Sequence, residues 1–162
     1  VSLDTDSGLP TFLPGDSASW HSAPNWSSGT IPNVAGASAM LNAPTSGDRN
    51  VNIEAATTVG MLRVNQAATD FRNRLRTDGG SGSLTFNGGA STATLRVESS
   101  GGTGHVDIDF STSVTLTTDL ALLVNQFDGG DPQQGTLRLQ QVWTGPGGLV
   151  KQGPGLASLT GE

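Results

Sequence analysis

Apolar residues recur along this chain as pairs two positions apart, not as helical stripes. The pairs are Val51/Ile53, Leu62/Val64, Leu84/Phe86, Leu95/Val97, Val106/Ile108, Val114/Leu116, Leu122/Val124 and Leu137/Leu139. Side chains alternate faces in an extended strand, so each pair predicts a short strand with one buried face. Successive pairs lie roughly 8 to 20 residues apart, mostly near ten, as in architectures of many short strands. Between them fall Asp78-Gly79-Gly80-Ser81-Gly82, Asn87-Gly88-Gly89, Ser100-Gly101-Gly102-Thr103-Gly104 and Asp128-Gly129-Gly130-Asp131-Pro132. Glycine and Asx residues suit such corners because they tolerate backbone conformations that other residues avoid. Thr58 to Phe71 comes closest to helical spacing, but its β-branched content suits strands better. The pattern predicts an all-β fold.

Composition adds limits to this picture. The 162 residues are enough for one domain with a real core. Lys plus Arg is 8 and Asp plus Glu is 14, a net charge of −6, with 14% of residues charged. Such a surface argues against nucleic acid, whose phosphates need clustered Lys and Arg. Arg72, Arg74 and Arg76 alternate along one segment and share a face, which reads as a solvated strand face. Twenty-three glycines beside regularly spaced apolar residues mark an ordered chain and not a disordered linker. With no cysteine there is no disulfide and no thiolate metal site. No apolar run is long enough to span a bilayer. The chain opens on Val1, which together with this composition reads as a mature N-terminus left by signal-peptide removal.

Two segments carry a family resemblance. The first is Trp143-Thr144-Gly145-Pro146-Gly147-Gly148-Leu149-Val150-Lys151-Gln152-Gly153-Pro154-Gly155-Leu156-Ala157-Ser158-Leu159-Thr160-Gly161. It resembles the autotransporter-associated β-strand repeat of secreted and surface-displayed bacterial proteins, close to G-x-G-G-L-x-K-x-G-x-G-x-L-x-L-x-G. The second runs Ala18-Ser19-Trp20-His21-Ser22-Ala23-Pro24-Asn25-Trp26-Ser27-Ser28-Gly29-Thr30-Ile31-Pro32-Asn33. It looks like the opening found at the start of many secreted β-helical proteins that also carry that repeat. The resemblance implies a right-handed parallel β-helix with an N-terminal arm and cap, in preference to a β-sandwich or jelly roll.

The expected organisation follows. Residues 1–18 form an extended arm and residues 19–162 the β-solenoid, with 19–36 a cap-like segment and 143–162 the repeat unit. A rung of about twenty residues would place about five to six rungs between Ala37 and Gly161. Trp20 and Trp26 can cover one end of the core. The other end stops in mid-repeat, so more chain or another copy is expected to cover it, since open strand edges invite pairing.

Catalytic constellations are scarce. His21 and His105 lack zinc-binding spacing, and no G-x-S-x-G or phosphate-cradling loop occurs. Asp107 and Asp109 alternate with Val106 and Ile108 and so share a strand face, where a calcium or acid/base pair is conceivable but a solvated outer face is the simpler reading. Asp128 and Asp131 could flank calcium, yet a single Gly-rich turn accounts for them. Trp20, Trp26 and Trp143 read as cap or core residues before sugar platforms. No catalytic residue, metal or cofactor is therefore assigned. The expectation is an exported structural or adhesive β-solenoid, not an enzyme, at the bacterial surface or outside the cell. It would self-associate through strand edges or the N-terminal arm, with a cell-surface glycan as a further partner. The alternative is a glycan-binding or polysaccharide-lyase-like β-helix module.

Overall fold

The computed structural model describes residues 8–42, 47–66, 73–77, 81–99, 109–110, 113–125, 137–139, 142–155 and 157–159. Sixteen short strands wind around one core: β1 Thr11–Phe12, β2 Ala18–Ser19, β3 Ser38–Leu41, β4 Arg49–Asn52, β5 Ala56–Val59, β6 Met61–Gln66, β7 Asn73–Arg76 and β8 Ser83–Phe86. They continue as β9 Ala93–Ser99, β10 Asp109–Phe110, β11 Ser113–Leu116, β12 Leu120–Val124, β13 Leu137–Leu139, β14 Trp143–Thr144, β15 Leu149–Gln152 and β16 Ala157–Leu159.

Three faces result. The first stacks β1, β3, β6, β9, β12 and β15, the second β2, β4, β7 and β10, and the third β5, β8, β11 and β14. β13 packs beside β10 and pairs with β16, which extends the second face. Every pair of these strands is parallel. The protein is a parallel β-solenoid. Among the described residues consecutive strands never pair with each other, unlike the antiparallel meanders of a sandwich or jelly roll.

Each strand triplet β3–β5, β6–β8, β9–β11 and β12–β14 makes one coil. The register Ser38↔Met61↔Thr94↔Ala121↔Val150 gives coil lengths of 23, 33, 27 and 29 residues. The coils are thus longer and fewer than rungs of about twenty residues would give. The excess lies in the connections between strands, whose length the apolar pairs do not report.

The core is a set of ladders. Ala39, Leu62, Leu95 and Leu122 stack in register on the first face, as do Leu41, Val64, Val97 and Val124, and all are fully buried. One coil alone would leave these side chains in water, and stacking removes them from it at about 1.5–3 kcal/mol for each leucine or valine. Residues 8–19 join this scheme: β1 pairs with β3, and β2 with β4.

The glycines of the C-terminal segment have a steric cause. Gly145 has φ +113°, and a Cβ there would overlap the Leu116 carbonyl oxygen one coil below. Gly153 repeats this with φ +80° over the Val124 carbonyl. Both corners lie directly on the backbone beneath, where only glycine fits.

Candidate functional site

The two ends of the solenoid differ in kind. At the N-terminal end, residues 20–33 close over the first strands. One 3-10 turn, Ala23–Asn25, with Pro24 in its first turn, aims Trp26 at the core. Trp26 packs edge-on between Trp20 and Phe12, with ring centroids 4.7 and 5.2 Å apart. All three rings are at most 2% exposed. Both indole N–H groups are satisfied inside the cap, Trp20 Nε1 donating to Pro32 O at 3.1 Å and Trp26 Nε1 to Trp20 O at 2.8 Å. A buried indole needs such a partner.

The cap also answers the exposed strand edges. Leu13 N donates to Asn25 O, Ser27 N to Thr11 O and Thr11 N to Ser27 Oγ, which covers the outer edge of β1. On the third face, Asn33 Oδ1 accepts Thr58 N at 2.7 Å and its Nδ2 donates to Ala56 O at 3.2 Å. One amide side chain thus replaces a missing strand along β5. His21 adds another fastening, with Nε2 3.2 Å from Thr57 Oγ1 and Nδ1 3.7 Å from Glu54 Oε2. The Ser19 hydroxyl donates to the same Glu54 carboxylate. This acid–imidazole–hydroxyl line does not make a nucleophile, because Thr57 is 1% exposed and its hydroxyl is also held by Ala55 O. It ties the cap to the corner before β5.

A buried arginine reinforces this end. Arg49 sits in the inward phase of β4 together with Val51, and is 2% exposed. Its Nε donates to Asn73 Oδ1 at 2.9 Å, Nη1 to Pro14 O at 2.6 Å, and Nη2 to Asn73 Oδ1 and Asn42 O. Asn73 Nδ2 donates to Asn42 O at 3.2 Å, and the guanidinium lies 5.4 Å above the centre of the Phe12 ring. Pro14, Asn42 and Asn73 belong to three successive coils, so a single side chain staples them together. Among the described residues no carboxylate faces it. Burial lowers its pKa to about 10, which leaves it charged at neutral pH.

The C-terminal end lacks any such closure among the described residues. Leu149 continues the inward ladder of Leu120, and Leu159 that of Leu139. Leu120 and Leu139 are fully buried, whereas Leu149 is 37% and Leu159 59% exposed. Val142 and Val150 are exposed nearby. β15 and β16 stand as the last strands of their sheets, each with one edge unpaired among the described residues.

The other residues singled out in the sequence fall as follows. Trp20 and Trp26 are cap core. Trp143 lies in the inward register of β14 and stacks on Phe86, with centroids 6.2 Å apart. Arg74 pairs with Asp48 at 2.8 Å, and Arg76 occupies the same outward phase. Arg72, His105, Asp107, Asp128 and Asp131 lie outside the described residues, as does the side chain of Asp109. Among the described residues no group of three or more His, Cys, Asp or Glu could hold a metal ion, and no helix is long and apolar enough to cross a membrane. Sequence reasoning missed Arg49 and Asn73, although Arg49 stands two residues before Val51 and so in its buried phase.

No protein-family model, curated protein or solved structure matches the chain.

Proposed function

We propose that the protein is an extracellular structural or adhesive β-solenoid, part of a bacterial surface fibre or passenger-type assembly that extends by strand addition at its C-terminal end. The observation that supports this is the contrast within single ladders: Leu120 to Leu149 and Leu139 to Leu159 pass from complete burial to substantial exposure. An edge with unpaired backbone and inward-register Leu149 and Leu159 is a template for another strand, with Lys151, in the register of Leu122, a charged inward position on β15. Covering each leucine would contribute about 1.5–3 kcal/mol.

The cap gives this growth a direction. Head-to-tail stacking of copies would have to displace the Trp20–Trp26 cluster and the Asn33 bonds to β5. The β1 and β2 segments are already paired within their own chain, so these strands are not free to cross to a neighbour. Addition is therefore expected at the C-terminal edge alone.

Sedimentation velocity over a wide concentration range tests this reading, comparing the native chain with a Leu149→Lys/Leu159→Lys variant. The native chain should associate as concentration rises, and the variant should remain monomeric. A native chain that stays monomeric throughout, or a variant that associates equally well, would refute it.

A further inference from the structure

The third face differs from the other two in a way that edge growth does not use. Thr58, Thr85, Thr115 and Thr144 stand in one unbroken register across β5, β8, β11 and β14. Beside them, Ala56, Ser83 and Ser113 form a second row two residues away. All of these side chains point outward and are partly or fully exposed. Strand spacing sets the repeat along each row at about 4.8 Å, and two residues of rise separate the rows by about 6.7 Å.

Two independent features set this grid apart. First, the four strands carry no charged residue, reading Ala-Thr-Thr-Val, Ser-Leu-Thr-Phe, Ser-Val-Thr-Leu and Trp-Thr. The first face by contrast carries Arg63, Arg96 and Glu98, joined by ion pairs, and the second carries Arg74 with Asp48. Second, among the described residues the hydroxyls of the four threonines make no hydrogen bond to protein, although the neighbouring Thr57 and Thr118 hydroxyls do. These four are left to the solvent side.

A β-branched side chain has a restricted χ1, which favours one placement of methyl and hydroxyl repeated from coil to coil. The backing is rigid, with Leu84, Phe86, Val114 and Leu116 filling the inner side of the same strands. Such a surface would order its first water layer in advance, the hydroxyls anchoring water at a fixed repeat and the methyls leaving it to bond with other water. The ligand that fits is a lattice with a matching repeat, without charge, rich in both donors and acceptors. The oxygen repeat along the a axis of hexagonal ice lies close to the strand spacing. A crystalline glycan fits less well, because this outer face presents no aromatic ring for stacking.

We infer that the third face is an ice-binding surface, with the threonine row as its recognition element. This goes beyond the structural role proposed above and does not depend on it. The test is partitioning of the purified full chain into slowly grown polycrystalline ice, together with the shape of single crystals grown in its presence. Thr85→Tyr and Thr115→Lys interrupt the grid from the outside, and Thr94→Lys on the first face serves as the control. Circular dichroism and thermal unfolding establish that each variant is folded. The native chain and T94K should be enriched in ice and produce faceted crystals, and T85Y and T115K should lose both effects. A native chain excluded from ice like an inert protein of equal size would overturn the inference, as would retention of binding by T85Y and T115K. Capture by microcrystalline cellulose without adsorption to ice, abolished by the same substitutions, would also overturn it and reassign the face to a glycan.

Discussion

The Arg49 staple makes a quantitative prediction. In Arg49→Met the side-chain stem keeps its packing, but Asn73 Oδ1 and Pro14 O lose their donors, while Asn42 O keeps Asn73 Nδ2. Each orphaned buried acceptor costs about 1–3 kcal/mol. Against this stands the relief of a buried cation. Its pKa, lowered by burial to about 10, corresponds to roughly 3 kcal/mol of unfavourable desolvation. The two effects nearly offset, so R49M should destabilise by only about 1–2 kcal/mol. Asn73→Leu acts differently, because it leaves the charge in place and removes the acceptor shared by Nε and Nη2. Its cost should be about 3–5 kcal/mol, the range for breaking a buried polar pair from one side. The double variant should lie close to R49M, so the coupling should equal the cost of N73L alone, about 3–5 kcal/mol. Urea denaturation of the four proteins measures this through midpoint shifts at constant m. Equal costs for the two single variants with additive behaviour in the double would refute the staple. The pKa direction carries a sign as well. The penalty is present in full below about pH 10 and is relieved as pH rises above that value towards the ordinary arginine range, so the native chain should gain on R49M across that window.

Further expectations concern the cap and the corners. Trp26→Ala should cost about 3–5 kcal/mol, with amide exchange rising first in β1 to β3 and least at β12. Asn33→Ala should cost about 1–2 kcal/mol and expose the β5 edge, so that association appears at the N-terminal end too, visible in sedimentation. Gly153→Ala should lower the thermal midpoint, at a cost of about 1–3 kcal/mol from the left-handed backbone, with more from its overlap on Val124.

Much of the fold was legible because alternation reports burial directly. Every apolar pair that lies within the described residues faces inward, from Val51/Ile53 to Leu137/Leu139. Alternation does not report the partner strand, which is why spacing alone left a sandwich open. Coil length was misjudged for a related reason: the connections grow or shrink on the outside without disturbing the inward ladder. The cap was readable from its two tryptophans, whereas the Asn33 bonds depend on a register that no local pattern encodes. Arg49 escaped because a charged residue reads as outward by composition, although its phase with Val51 places it inside. The threonine row escaped for a simpler reason. Thr58, Thr85, Thr115 and Thr144 are far apart in sequence, and only the coil lengths bring them into line.

The cap seals the first strands of the solenoid, whereas β15 and β16 carry unpaired edges among the described residues. Hydrogen–deuterium exchange of the native chain at low and high concentration tests this contrast most directly. At low concentration, β1, β3 and β5 should be protected beneath the cap while β15 and β16 exchange fast. At high concentration protection should spread to β15 and β16 alone. Fast exchange at the capped end, or protection of β15 and β16 that does not change with concentration, would contradict the account.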